Sequence, residues 1–373
     1  MKRSRKQATM RADVKPPAVV GSGLLALDIV ISEASGAPTG YWAGGTCGNV
    51  LIALRYLGWE SQPVARLRSG AAANRILEDI HRWGVSDRFV SMADDGSTPV
   101  IVERITQGSG NVPRHSFSWR CPECGSQFPA FKAVLATVAE EIATMAAGAQ
   151  VYFFDRATPG GIVLARACAD HGALVVFEPS SIGNPVLFRQ AWETSHVVKY
   201  SHERLRELPE VGVEGIPRLQ VETLGEAGLR YRRVSQSRRA GRWVEMKAFP
   251  VDSIRDTAGS GDWCTAGFVY RAGRSGAEGF HKMTDGDLRE AFRYGQALAA
   301  WNCGYEGARG GMYASDHSSF VQLVQEILDG QGDGQGIRPA PPARREENIG
   351  GICPACIRSD TAGSATGTTG PAW

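Results

Sequence analysis

The chain predicts an α/β fold, a doubly wound and mostly parallel sheet with helices on both faces and a small β-lid. Three observations carry this. From residue 130 onward, apolar strand-like runs alternate with helical segments, the rhythm of βαβ units whose strands are buried on both sides. A glycine-rich loop, Asp256-Thr257-Ala258-Gly259-Ser260-Gly261-Asp262, stands between a strand-like run and an apolar helical one. Residues 98–119 read as a hairpin outside that rhythm, with Val100 to Ile105, a Gly108-Ser109-Gly110-Asn111 turn and His115 to Trp119.

Composition permits a large core. Hydrophobic residues make up 43% of 373 and charged residues 21%, and the 45 glycines imply many tight loops. A net charge of +2 argues against a nucleic-acid binder, and Lys2, Arg3, Arg5 and Lys6 read as a solvated basic arm. With no run of about 18 apolar residues and no signal-peptide core, neither a membrane span nor secretion is indicated, and a cytoplasmic location is expected. Cys47, Cys168, Cys264 and Cys303 lie singly in apolar surroundings and are expected to be reduced core thiols.

Taken in order, residues 1–17 are a charged lead-in ending at Pro16-Pro17 and are expected to be disordered. Ala18 to Ile31 reads as one strand. After Gly44-Gly45 an apolar helix runs from Asn49 to Leu57 and stops at Gly58; a second runs from Asn74 to Trp83 and stops at Gly84. Phe131 to Ala147 is a helix, Val151 to Phe154 a strand, Gly161 to His171 a helix. Leu174 to Phe177 and Val197 to Lys199 are strands. Leu219 to Thr223, Leu229 to Val234 and Trp243 to Phe249 are strands with no helix between the last two, which predicts an antiparallel edge. Helices near 262–272, 285–303 and 316–328 complete a unit spanning 18–330, with its lid drawn from about 31–43 and 98–119. Residues 331–373 are rich in Gly, Gln, Pro and Ala and read as a flexible tail.

The glycine-rich loop is the chemical focus. Its backbone N–H groups stand at a helix N-terminus, which suits them to surround a phosphate, and Ala258, Gly259, Ser260 and Gly261 are the candidate anion hole. A carboxylate gains nothing from lying beside an anion, so Asp262 reads as a base that takes a hydroxyl proton beside a transferring phosphoryl group. The alternative is a helix N-cap aspartate. Asp360-Thr361-Ala362-Gly363-Ser364 repeats the first five residues but has no strand before it and no helix after it, and is read as coincidence. Gly21-Ser22-Gly23-Leu24-Leu25-Ala26 fits a loose dinucleotide pattern, which is rejected because the chain continues as a strand instead of turning into a helix.

In order and spacing these motifs resemble the ribokinase-like carbohydrate kinases, also called the PfkB type. Asp256 to Asp262 is similar to that family's catalytic signature, with Ser260 where alanine is usual. Gly44-Gly45-Thr46-Cys47-Gly48-Asn49 is similar to its N-terminal signature. The resemblance implies that Gly44, Gly45 and Asn49 meet the sugar and that Asp28 is a substrate-binding aspartate. It implies ATP contacts at Thr223, Gly225 and Gly228 in Thr223-Leu224-Gly225-Glu226-Ala227-Gly228, and at Gln296 beside the base, with Gly307-Ala308 nearby. The family's Asn-x-x-Glu element corresponds to Lys199 through Arg204, where the carboxylate, Glu203, is displaced by one residue. Glu203 therefore also reads as a first-turn residue of a helix capped by Ser201.

The resemblance thus implies ATP-dependent phosphorylation of a hydroxyl on a sugar or sugar-like substrate, with Mg²⁺ bridging the phosphates. A nucleoside kinase of the same fold and a non-catalytic, metal-bearing sugar or nucleotide sensor are the alternatives. His115, Phe117 and Trp119 of the lid would set the substrate, and an exposed lid strand edge offers a homodimer surface. Cys121-Pro122-Glu123-Cys124 and Cys353-Pro354-Ala355-Cys356 form two further candidate pairs. Together they would make a structural Cys₄ site for Zn²⁺; otherwise they are unligated thiols.

Overall fold

The computed structural model describes residues 15–33, 38–106, 108, 113–206, 218–234, 240–251, 253–330 and 349–357. The basic arm, the repeated Asp360–Ser364 stretch and most of the Gly108–Asn111 turn lie outside them. Among the described residues no helix is long and apolar enough to cross a membrane.

The main sheet has nine strands in the order β13-β12-β11-β10-β9-β8-β1-β4-β5. The strands are β1 (Ala18–Ser22), β4 (Glu60–Leu67), β5 (Phe89–Met92), β8 (Val151–Phe154), β9 (Leu174–Phe177), β10 (Val197–Ser201), β11 (Leu219–Thr223), β12 (Leu229–Arg233) and β13 (Val244–Met246). All pairings are parallel except β11 with β12 and β12 with β13, so the expected antiparallel edge is present. Two-residue alternation divides the core between the faces. Val19, Phe153, Val176 and Val197 pack toward α1 (Thr46–Tyr56), α2 (Ala71–Arg82), α6 (Ser260–Ala272), α8 (Asp285–Cys303) and α10 (His317–Asp329). Val20, Phe154, Phe177 and Val198 pack toward α3 (Ala136–Met145), α4 (Pro159–Asp170) and α5 (Pro185–Thr194). Short helices α7 (Gly276–Lys282) and α9 (Gly310–Ala314) fill connections.

A second, four-stranded sheet forms the lid in the order β3-β2-β6-β7, with β2 (Ala26–Ser32), β3 (Gly40–Gly44), β6 (Val100–Thr106) and β7 (Arg114–Ser118). The single strand expected over Ala18 to Ile31 is therefore two, and the lid also takes residues 26–30. The break falls at Gly23, whose φ of 147° suits glycine and where a Cβ would lie 1.7 Å from Asp155 Oδ1. Asp155 Oδ1 also accepts the Leu24 N–H at 2.9 Å, which fixes the point where the chain leaves one sheet for the other.

Other boundaries differ as well. The helix expected from Phe131 begins only at Ala136, and the strand expected over Trp243 to Phe249 shrinks to Val244–Met246. Strands β4 and β5 were not expected. The sequence of β4 is polar and holds Pro63, which cannot donate to the ladder, yet Pro63 pairs opposite Gly21 beside the central strand. Helices α5, α7 and α9 were likewise not anticipated.

Candidate active site

The sheet order reverses between β1 and β8, and in open α/β sheets ligands lie beyond the strand C-termini near such a point. Strand alternation brings two charged side chains there. Lys199 shares the face of Val197, and Glu178 that of Val176, so both point beneath the first turn of α6. Lys199 Nζ donates to Glu178 Oε1 at 2.5 Å and to the Gly261 carbonyl at 3.1 Å, and Thr265 Oγ1 donates to Glu178 Oε2 at 2.5 Å. A buried ion pair thus anchors the turn that carries Asp262.

The loop before α6 is fixed by Asp256, which is fully buried. Its Oδ1 accepts the Ala258 N–H at 2.9 Å and its Oδ2 the Gly307 N–H at 2.8 Å. Gly259 is the N-cap with φ 71°, where a Cβ would sit 2.2 Å from the Ala308 carbonyl. Of the four candidate anion-hole residues, Ala258 and Ser260 spend their N–H groups inside the loop, on Asp256 and on the Thr257 carbonyl. The first helical turn leaves Gly259, Gly261 and Asp262 N–H groups without intrahelical acceptors. These three are the better-suited anion donors.

Asn49, in the first turn of α1, donates Nδ2–H to Asp262 Oδ2 at 2.8 Å. Burial, and next the Glu178 carboxylate, push the Asp262 carboxyl up to about 7, while the Asn49 hydrogen bond and Lys199 pull it back. Asn49 Oδ1 accepts from Arg309 Nε at 3.0 Å. Arg309 is itself buried, donating to the Ala43 carbonyl and to Asp79 Oδ2, which also accepts the Ala43 N–H at 2.9 Å and the Tyr313 hydroxyl at 2.7 Å. Neither Arg309 nor Asp79 stood out in the sequence. The signal available was only that Arg309 follows Gly307-Ala308.

Asp28 lies on β2 opposite this network. Its Oδ1 is buried without a hydrogen-bond partner, and its Oδ2 occupies the space a Gly44 side chain would need, 1.8 Å from that Cβ position. Gly45, with φ 78°, has the Leu24 carbonyl 2.5 Å from where its Cβ would be. Burial pushes the Asp28 carboxyl up to about 7 against the pull of Arg309. Thus Asp28, Gly44, Gly45, Asn49 and Asp262 form one connected cluster.

The remaining candidates lie on other elements. Thr223 ends β11 and leads into a 3₁₀ turn, Gly225–Ala227. Gly228 has φ 99° and a Met246 carbonyl 2.1 Å from its Cβ position, so only glycine fits. Gln296 on α8 is buried with Oε1 unpartnered. Glu203 is exposed in a turn following β10, not in a helix, with its Oε1 3.8 Å from the Cβ position of Gly225.

Several solved structures share this fold. Arabidopsis thaliana ribokinase, complexed with ribose and ATP, superposes with a TM-score of 0.59 at 18% identity, covering 84% of this chain and 99% of that one. The fold is ribokinase-like. Xylella fastidiosa fructokinase with bound ATP gives 0.60 at 16% identity, with coverages of 84% and 98%. Burkholderia thailandensis nucleoside kinase with inosine gives 0.58 at 17%, with the same coverages. Residues 188–314 match the pfkB family carbohydrate kinase profile, a stretch holding the Thr223–Gly228 turn, the Asp256–Asp262 loop and Arg309. No curated protein sequence matches. Within the ribokinase-like fold, β2, β3, β6 and β7 are the lid.

Proposed function

We propose that this chain is an ATP-dependent kinase that transfers the γ-phosphoryl group to a hydroxyl of a sugar or sugar-like substrate, with residues 18–330 as the catalytic unit. The observation that carries the proposal is the Asn49–Asp262 contact: a carboxyl pushed up to about 7 at the N-terminus of α6, in the same cluster as the unpaired Asp28 Oδ1. The ATP found in the ribokinase and fructokinase structures of this fold supports the choice of phosphoryl donor.

In this reading Asp28 accepts a hydrogen bond from a substrate hydroxyl, and Gly44 and Gly45 let the ligand approach the backbone. Asp262 takes the proton of the attacking hydroxyl, which becomes nucleophilic toward the γ-phosphorus. The first-turn N–H groups of α6 stabilise charge on the equatorial oxygens. Thr223, Gly225 and Gly228 border the phosphates, and Gln296 offers its free Oε1 on the adenine side. Mg²⁺ usually keeps several waters and takes one or two carboxylates besides phosphate. The exposed Glu203 beside Gly225 fits that role, and the ion would supply neutralisation of phosphate charge. The lid would exclude water, a competing acceptor.

The inosine complex in this fold keeps nucleosides in the test panel. ADP release should be measured over sugars and nucleosides, with Asp262→Asn alongside. Loss of a general base lowers kcat by about 10²–10⁴-fold. Undiminished phosphoryl transfer by a folded Asp262→Asn protein would remove the base from this mechanism.

A further inference from the structure

We propose that Cys121, Cys124, Cys353 and Cys356 bind one structural Zn²⁺ that staples the lid-side hairpin to the C-terminal segment. The four Sγ atoms all lie within 4.8 Å of one another, although they come from stretches more than 200 residues apart in the chain. Cys121 Sγ is 3.9 Å from Cys356 Sγ, and Cys124 Sγ is 3.7 Å from Cys353 Sγ. Four thiolates at about 2.3 Å from one tetrahedral zinc stand about 3.8 Å apart. A disulfide would need about 2.05 Å. The sulfur spacing is that of a metal tetrahedron.

The local backbone suits ligation. Cys121 to Gln127 is a tight hairpin: Gly125 has φ 72°, its N–H meets the Cys121 carbonyl at 2.9 Å, and the Cys121 N–H meets the Ser126 carbonyl at 2.9 Å. Arg120 and Gln127 pair across it. On the other side the Cys353 N–H meets the Ile349 carbonyl at 3.2 Å, and the Ile357 N–H meets the Cys353 carbonyl at 3.1 Å, so Cys353 and Cys356 share one side of a helical turn. Cys121 and Cys353 are buried with Phe128 and Ile352, whereas Cys124 is exposed. Ile349, Ile352 and Ala355 pack on the main core. On binding, four Zn–S bonds form and the thiol protons leave to solvent. Four sulfur ligands leave no open position, so the ion is structural.

The hairpin directly follows β7, the edge strand of the lid that carries His115. Zinc would therefore tether that edge to a segment seated on the main core. This inference stands or falls independently of the catalytic reading.

Metal analysis of the purified full-length protein should find about one zinc per chain. Cys121→Ser and Cys353→Ser should each lose it, while Cys168→Ser, a buried thiol on α4, should keep it. If the serine variants fail to fold, Co²⁺ added to chelator-stripped wild type should give the visible bands of tetrahedral thiolate coordination. Hydrogen exchange across residues 114–128 should speed up on chelation and slow again with Zn²⁺. Iron in place of zinc, a metal-free protein with disulfides between these cysteines, or full zinc in Cys353→Ser would overturn the site. Unchanged exchange across 114–128 would overturn the staple.

Discussion

Asp262 sits between two influences of opposite sign, and its behaviour with pH follows from them. Burial and Glu178 raise its pKa to about 7, so a base at this position is protonated and inactive below that value. We predict that kcat/KM falls as pH drops through about 7. Asn49→Ala removes the hydrogen bond that lowers the Asp262 pKa, and should move that limb to higher pH as well as lower kcat. A pH profile of the variant identical to wild type would contradict the coupling. Arg309 invites a stability test. It is 2% exposed and stands against Asp79, which is also buried. Removing one partner of a buried pair costs about 3–5 kcal/mol, because the other charge is left uncompensated. Arg309→Met should lower stability by that order in denaturant melts.

Among elements, α6 depends most on its neighbours. It meets α8 where a Cβ on Gly267 would lie 2.6 Å from Gly295 Cα, and a Cβ on Gly295 2.4 Å from the Cys264 carbonyl. The helices can approach this closely only because both positions are glycine. Gly295→Ala forces them apart, an overpacking that costs about 1–3 kcal/mol. Because α6 carries Asp262, kcat should fall together with the melting temperature; a loss of stability with kcat intact would detach the packing from the site. The same scale explains what sequence patterns missed. The loop and α6 were legible because glycine, aspartate and an apolar helix are local signals. Strand β4 was not, since its alternation is interrupted by Gln62 and Pro63 and its burial comes from β1 and α1, which are distant in sequence.

For the whole molecule, the question is how the lid meets the body. Trp42 of β3 stacks on Tyr313 at 5.1 Å between centroids, Ser32 Oγ donates to Glu306 at 3.0 Å, and His115 Nδ1 lies 3.4 Å from Asp256 Oδ1. Glu103 of β6 is buried at this junction, and burial, followed by Asp256, pushes its carboxyl up to about 10. A carboxyl raised on folding contributes stability that is complete below its unfolded pKa and is lost as pH rises toward the folded value. The window therefore runs from about 4.5 to about 10. Glu103→Gln stays neutral throughout, so its melting temperature should gain on wild type as pH goes from 5 to 9; a constant difference would show that folding does not raise the Glu103 pKa. By itself, the sequence determined the parallel-sheet architecture, the glycine-rich loop, the aspartates and the four paired cysteines, because each is carried by neighbouring residues or a short repeat. Only the tertiary structure decided that the first strand divides between two sheets at Gly23, that Arg309 and Asp79 brace Asn49, and that the two cysteine pairs meet. Those are contacts between segments far apart along the chain, and they exist only once the backbone has closed the distance.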